Sequence, residues 1–241
     1  MADIVRQPDE AIFDVKRDGL RDMGFASGMA TGMKQYEKAV EPTKTKLFAS
    51  LLASLPAKDA VVVELGMGSF PNAKYYSQLP EDESPASLDI VGVDPNDSMP
   101  KYGTVGPDVA VLRRRGHSLR EVHGVAEALP LATSSVDAVV CTLTLCSVPE
   151  PSRALAEVRR VLKPGGRFLF LEHVLSESDP GLAAQQVALT PMQVKAADGC
   201  HLDRRTLETI RAAGFSKVDA EYFELSGFYF LNPTVAGIAV R

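Results

Sequence analysis

The chain holds 241 residues, 45% of them hydrophobic and 24% charged. These ordinary globular values exclude disorder, collagen and coiled coil as the main class, and the length suits one or two domains. With a net charge of −5, and no basic stripe, the chain is a poor general binder of phosphate backbones, so no nucleic-acid partner is expected. The three cysteines, Cys141, Cys146 and Cys200, are too few and too unevenly spaced for a disulfide framework. No Cys-x-x-Cys pair exists, so no metal site is expected. Reduced thiols point to a cytoplasmic protein. No run approaches ~20 apolar residues, so no transmembrane anchor is expected. The mixed charges of the first twenty residues do not resemble a targeting segment.

In chain order, Glu10 to Leu55 reads as helical. Leu47, Phe48, Leu51, Leu52 and Leu55 place apolar residues three and four apart, the spacing of one helix face. Gly19, Gly24, Gly28 and Gly32 are expected to break the first half, and Pro56 ends the segment. Ala60 to Leu65 is then a nearly continuous apolar run closed by Gly66, as in a strand buried on both faces of a parallel sheet. Similar runs recur at Leu88 to Val93, Val136 to Leu143 and Arg167 to Val174, with a weaker one at Arg120 to Val125. Helix patterns lie between and after them, over Asn72 to Leu79, Ser152 to Leu162 and Arg204 to Ala213. Lys163-Pro164-Gly165-Gly166 reads as a helix stop. Ser216 to Leu225 and Val235 to Val240 have no helix between them, which predicts a terminal antiparallel hairpin. The alternation implies an α/β fold with a mostly parallel sheet. Residues 1–57 are expected to form a helical cap and 58–241 the cofactor-binding domain.

The first strand runs into Glu64-Leu65-Gly66-Met67-Gly68-Ser69-Phe70-Pro71-Asn72, and the second ends at Asp94. Glycines beyond a strand end let backbone approach a ligand closely, and open parallel sheets bind ligands there. A carboxylate at Asp94 can accept from both hydroxyls of a ribose. The dinucleotide fingerprint needs a third glycine where Pro71 stands, and its acid lies nearer the loop. No Gly-Lys-Ser/Thr loop is present. A nucleoside without phosphates fits better, and S-adenosylmethionine (SAM) is the common one. The bland alternative is a tight strand-to-helix turn with no ligand.

These residues resemble the class I SAM-dependent methyltransferases of the UbiE/type-eleven group. Glu64-Leu65-Gly66-Met67-Gly68, Val93-Asp94-Pro95-Asn96, Ala126-Glu127-Ala128-Leu129-Pro130, Ser135 to Val140 and Leu155 to Gly166 carry the likeness. Within the group the chain is most similar to the alkyl-thiol methyltransferase, or methyltransferase-like seven, family, through Cys141 to Val148, Glu172-His173-Val174 and Asp198-Gly199-Cys200. Two departures stand out: Phe70 occupies a position where the family usually has glycine, and a polar helix stands where it has an apolar anchor.

The resemblance implies a Rossmann-like fold with a seven-stranded sheet and methyl transfer from SAM to a small-molecule nucleophile, a thiol among the options. The alternative is a non-catalytic SAM-binding regulator. Glu64, Gly66, Gly68, Asn72, Asp94, Pro95, Asn96, Ala126, Glu127, Cys141 and Thr142 are the candidate cofactor residues. Glu64 has the alternative of capping the turn, Asn72 that of a helix N-cap, and Cys141 that of packing. His173 is the candidate general base, with a structural histidine as the alternative. Tyr36, Cys146, Asp198 and His201 are candidate substrate contacts, and Met23, Met29 and Met33 could form an adaptable apolar lid. His123 reads as a packing residue, and His117 follows a basic run that reads as a solvated face.

Overall fold

A computed structural model of the chain describes residues 2–80 and 84–241. Three helices come first: α1 (Glu10–Phe13), α2 (Gly19–Gly32) and α3 (Lys34–Leu52). Asp18 caps α2 by accepting from the amides of Leu20 and Arg21, an interaction of ~1 kcal/mol. The helical segment is interrupted as expected, over 14–18 and at Met33, where Gly19 opens α2 and Gly32 closes it; Gly24 and Gly28 do not break it. None of Gly19, Gly24, Gly28 or Gly32 has a positive φ, and each faces open space. α2 runs through Gly24 and Gly28, which cost only helix propensity there.

The sheet domain follows, with β1 (Ala60–Leu65), β2 (Leu88–Asp94), α4 (Pro100–Gly103), α5 (Pro107–Arg114), β3 (Ser118–His123), β4 (Val136–Thr142), α6 (Pro151–Val161), β5 (Leu162–His173), α7 (Pro180–Ala196), α8 (Thr206–Ala212), β6 (Lys217–Phe223) and β7 (Thr234–Val240). The helix expected over 72–79 is instead a 3-10 turn, Ala73–Ser77. Tyr75 and Tyr76 are both buried against Phe48, one stacked and one edge-on, and Pro80 follows too soon for a longer helix. The seventeen-residue α7 was not expected. It carries an internal Pro191 and buries only Gln186 and Thr190, so it shows no apolar stripe to read.

The seven strands lie in the order β3-β2-β1-β4-β5-β7-β6. The first five are parallel to one another, and β7 is antiparallel to both β5 and β6. Successive residues of β1 point to opposite faces. Val61, Val63 and Leu65 pack with Leu155, Val158 and Val161 of α6, while Ala60 and Val62 pack with Phe48, Leu51 and Leu52 of α3. The resulting three-layer core leaves the carboxyl ends of the strands open. At the outer edge, β6 exposes Lys217, Asp219 and Glu221. No helix among the described residues is long and apolar enough to cross a membrane.

Two positions give direct tests of this packing. A Cβ at Gly237, in β7, would stand 2.1 Å from the Asp219 carbonyl oxygen and 2.8 Å from Ala220 Cα. Backbone cannot yield as a flexible side chain does, so Gly237→Ala is expected to cost roughly 3 kcal/mol in urea unfolding. In β3, both carboxylate oxygens of Glu121 are buried without a hydrogen-bond partner. Burial, and then the charge of Asp94, pushes its pKa up to about 7. The folded state therefore holds that proton more tightly than the unfolded chain, and stability falls as pH rises from the ordinary carboxylate range through 7. Glu121→Gln is expected to raise the melting temperature by about 2–4 °C at pH near 8 and to leave it unchanged near pH 5.

Candidate functional site

Strand order reverses between β1 and β4, since β2 and β3 lie on one side and β5 on the other. A crevice opens at such a point. Its floor is built by hydrogen bonds from buried groups. Glu172, fully buried near the end of β5, accepts from the backbone amides of Thr144 (2.9 Å), Leu145 (3.1 Å) and Cys146 (3.3 Å). Burial raises its pKa, while the amides pull it back down. The loop after β4 is thereby fixed, and the Thr144 hydroxyl donates to the Leu65 carbonyl oxygen at 3.0 Å. A Cβ on Gly66 would meet that hydroxyl at 2.5 Å, and Gly66 also has φ +57, so only glycine fits there. The glycine turn then presents the Gly68 amide to Asp94 Oδ2 at 3.0 Å, while Asp94 Oδ1 accepts from the Asn96 amide at 2.9 Å. Phe70 takes φ +55, a backbone region that glycine favours. Its ring is buried against Tyr76, which offsets the strain of ~1–2 kcal/mol.

The cleft encloses about 1270 Å³, open to solvent included. Of the expected cofactor residues, Gly66, Gly68, Asp94, Pro95, Ala126, Glu127 and Thr142 line it. Glu64, Asn72, Asn96 and Cys141 do not; each stands one layer behind. Glu64 accepts from the Tyr76 hydroxyl (2.6 Å) and from Asn72 Nδ2 (3.1 Å), and Asn72 Nδ2 also donates to Thr142 Oγ1 (3.1 Å). Burial pushes the Glu64 pKa up to about 7, against the hydrogen bonds of Tyr76 and Asn72 and the charge of Lys44. Asn96 Nδ2 donates to the Asp22 carbonyl oxygen and ties α2 to the loop after β2. Cys141 turns to Glu172, with its thiol 3.4 Å from Oε1.

The N-terminal segment closes one side of the cleft with Phe13, Asp14, Val15, Arg17, Phe25, Met29, Met33 and Glu37. Met23, expected beside the other two methionines, is 49% exposed and lies outside. Sequence reading missed Arg17. It pairs bidentately with Asp22 and reaches Asp198 at 2.7 Å. Burial works against its charge, but the two carboxylates more than offset this and raise its pKa. Asp198, an expected substrate contact, thus lines the cleft as the anchor of this pair. His123 is not a packing residue. It is half-buried and bridges Asp14 (3.0 Å) and Asp97 (2.8 Å), clasping the N-terminal segment to the loop after β2. His117 is not on a solvated face but is 5% exposed, where Nδ1 accepts from the Leu88 amide.

Four expected contacts stay away from the cleft. Tyr36 is buried against Phe228, and burial raises its pKa. Cys146 is buried, and the His201 amide donates to its carbonyl oxygen. The His201 side chain lies near Asp203. His173, the expected base, is 3% exposed, and its Nε2 lies 3.2 Å from Cys200 Sγ. Its position in β5 turns it into the layer behind the cleft, and it does not line the cleft.

The chemistry of the cleft fits an adenosine-bearing cofactor. Each Asp94 oxygen accepts one hydrogen bond from the protein and retains capacity for a ribose hydroxyl. Val93, Val125 and Ala126 offer an apolar wall beside it. The comparisons with known proteins agree. A family model described as "Methyltransferase domain" matches residues 63–170. Thiol S-methyltransferase TMT1B of Rattus norvegicus is 35% identical over 216 residues, which cover 88% of this chain and 84% of the relative. Thiol S-methyltransferase TMT1A of Homo sapiens is 31% identical over 208 residues, covering 86% and 81%. Among solved structures, a chain from the complex of the Haloferax volcanii Trm112 methyltransferase activator with a methyltransferase superposes with a TM-score of 0.63 at 19% identity, over 94% of this chain and 99% of that one. The enzyme is a SAM-dependent methyltransferase acting on a small molecule, and nothing favours a non-catalytic binder. The chain belongs to the thiol S-methyltransferase family of class I SAM-dependent methyltransferases.

Proposed function

We propose that this chain methylates the sulfur of a small thiol held between the glycine loop and the N-terminal segment. One observation carries the reading: each carboxylate lining the cleft already accepts a hydrogen bond or holds an ion pair within the protein. Asp14 faces His123, Glu37 holds Lys44, Asp94 accepts from Gly68 and Asn96, Glu127 accepts from the Glu150 amide, and Asp198 holds Arg17. Among the described residues no histidine lines the cleft. A hydroxyl or amine acceptor gains most from a free general base there. A thiol, with a pKa near ~8.5, brings its own ionised fraction at neutral pH. The names of the rat and human relatives support the same acceptor class.

When bound, SAM supplies a methyl group on a positively charged sulfur. The chain's part is to hold, orient and exclude water. We assign Asp94 to the ribose, Gly66 and Gly68 to close backbone approach, and Pro95, Ala126, Glu127 and Thr142 to the rest of the donor. Glu64, Asn72, Asn96 and Cys141 brace those residues from behind. Residues 1–57 act as a cap on the unit 58–241. The cap's Phe13, Val15, Phe25, Met29 and Met33 give the thiol an apolar, adaptable wall, and the Arg17–Asp198 pair closes it against water.

Two measurements test these assignments. Asp94→Ala is expected to weaken SAM binding at least tenfold in calorimetry while circular dichroism stays unchanged; normal affinity would remove the ribose role. Incubation with methyl-labelled SAM and a panel of thiols, phenols and amines is expected to label only thiols, faster as pH rises toward the thiol's pKa. Labelled phenols or amines with unlabelled thiols would overturn the acceptor class.

A further inference from the structure

Behind the cleft wall, three soft donors meet. Cys146 lies in the turn after β4, His173 ends β5, and Cys200 follows α7. Their Sγ, imidazole nitrogen and Sγ atoms all lie within 4.8 Å of one another. The three side chains are buried, at 2%, 3% and 7% exposure. A lone buried cysteine is ordinarily a small apolar filler. Packing does not explain this group. The Cys200 sulfur collects His173 Nε2 at 3.2 Å and Gln193 Nε2 at 3.6 Å, and the remaining ring nitrogen of His173 is buried with no partner. Polar atoms have been brought together in the interior at a cost that burial alone does not return.

The donors suit a thiophilic d10 cation. Such ions bind cysteine sulfur at ~2.3 Å and histidine nitrogen at ~2.0–2.1 Å in a tetrahedron, which places donor atoms ~3.5–3.8 Å apart. A triangle with no edge above 4.8 Å reaches that geometry with shifts of about 1 Å. Charge also balances. Two thiolates neutralise a divalent ion, with the imidazole neutral, and the two displaced thiol protons pass to water. The frame is rigid: Glu172 holds the Cys146 amide, the His201 amide holds the Cys146 carbonyl oxygen at 2.8 Å, and β5–β7 pairing holds His173 opposite Thr234.

We propose that Cys146, His173 and Cys200 form a binding site for a zinc-type divalent cation, which ties the loop after β4 to the loop after α7. Both loops also face the cleft, through Ser147 and Asp198, so the ion braces the wall against which the cap closes. Three protein ligands leave one coordination position free. The site departs from the expectation drawn from cysteine spacing, because its ligands come from three distant segments.

The test uses the full, reduced chain after chelator treatment, titrated with Co2+ as a spectroscopic stand-in and with Zn2+ in competition. Wild type is expected to show a thiolate-to-cobalt charge-transfer band that saturates at one equivalent and is bleached by Zn2+. Cys146→Ser and Cys200→Ser are each expected to lower the affinity at least tenfold, with SAM binding retained as the control for folding. No saturable band in wild type, or an equal band in the double variant, would overturn the site. X-ray absorption of the zinc-loaded wild type needs no variant. A first shell with two sulfurs is expected, and a shell of only oxygen and nitrogen would overturn the proposal.

Discussion

The carboxylate of Glu172 is the constraint on which the carboxyl edge of the sheet depends. A fully buried acid is costly unless donors surround it. Here the donors are consecutive amides of the loop after β4, so the same bonds that satisfy Glu172 also dictate that loop's course. Thr144, fixed in this way, occupies the space above Gly66 and bonds Leu65. The glycine turn is then placed so that Gly68 meets Asp94. Four segments far apart in sequence are joined by one chain of hydrogen bonds, and the cleft is the space it leaves.

This network explains what was legible in the sequence. The buried strands announce themselves because both faces of β1, β2 and β4 are packed, and residues such as Val61, Val62 and Val63 leave no alternation to confuse. Gly66 and Asp94 were legible because they sit at strand ends, where the parallel fold places its ligands. The supporting layer was harder to see. Glu64 and Asn72 carry the residue types of ligand contacts, yet each spends its hydrogen bonds on the other and on Tyr76 and Thr142. Spacing cannot say which way a side chain at the end of a strand turns.

The N-terminal segment shows the same limit more strongly. Its contacts include ion pairs with partners more than a hundred residues away, such as Arg17 with Asp198 and Asp14 with His123. Such pairs leave no local period. Of the four glycines of α2, Gly19 and Gly32 stand at its ends while Gly24 and Gly28 lie inside it, a difference that propensity alone does not draw. Phe70 makes the converse point. Its positive φ is a local penalty, outweighed by an aromatic cluster that only the folded chain assembles.

The outer rim of the sheet has a consequence of its own. β6 is an edge strand, and an edge offers unpaired amides and carbonyls to any other extended chain. Along it, Lys217, Asp219 and Glu221 stand exposed at alternate positions. A further strand docking there would have to strip water from a cation and two anions and set its own side chains against them. The charges thus guard the open edge of the sheet against fibril-like growth.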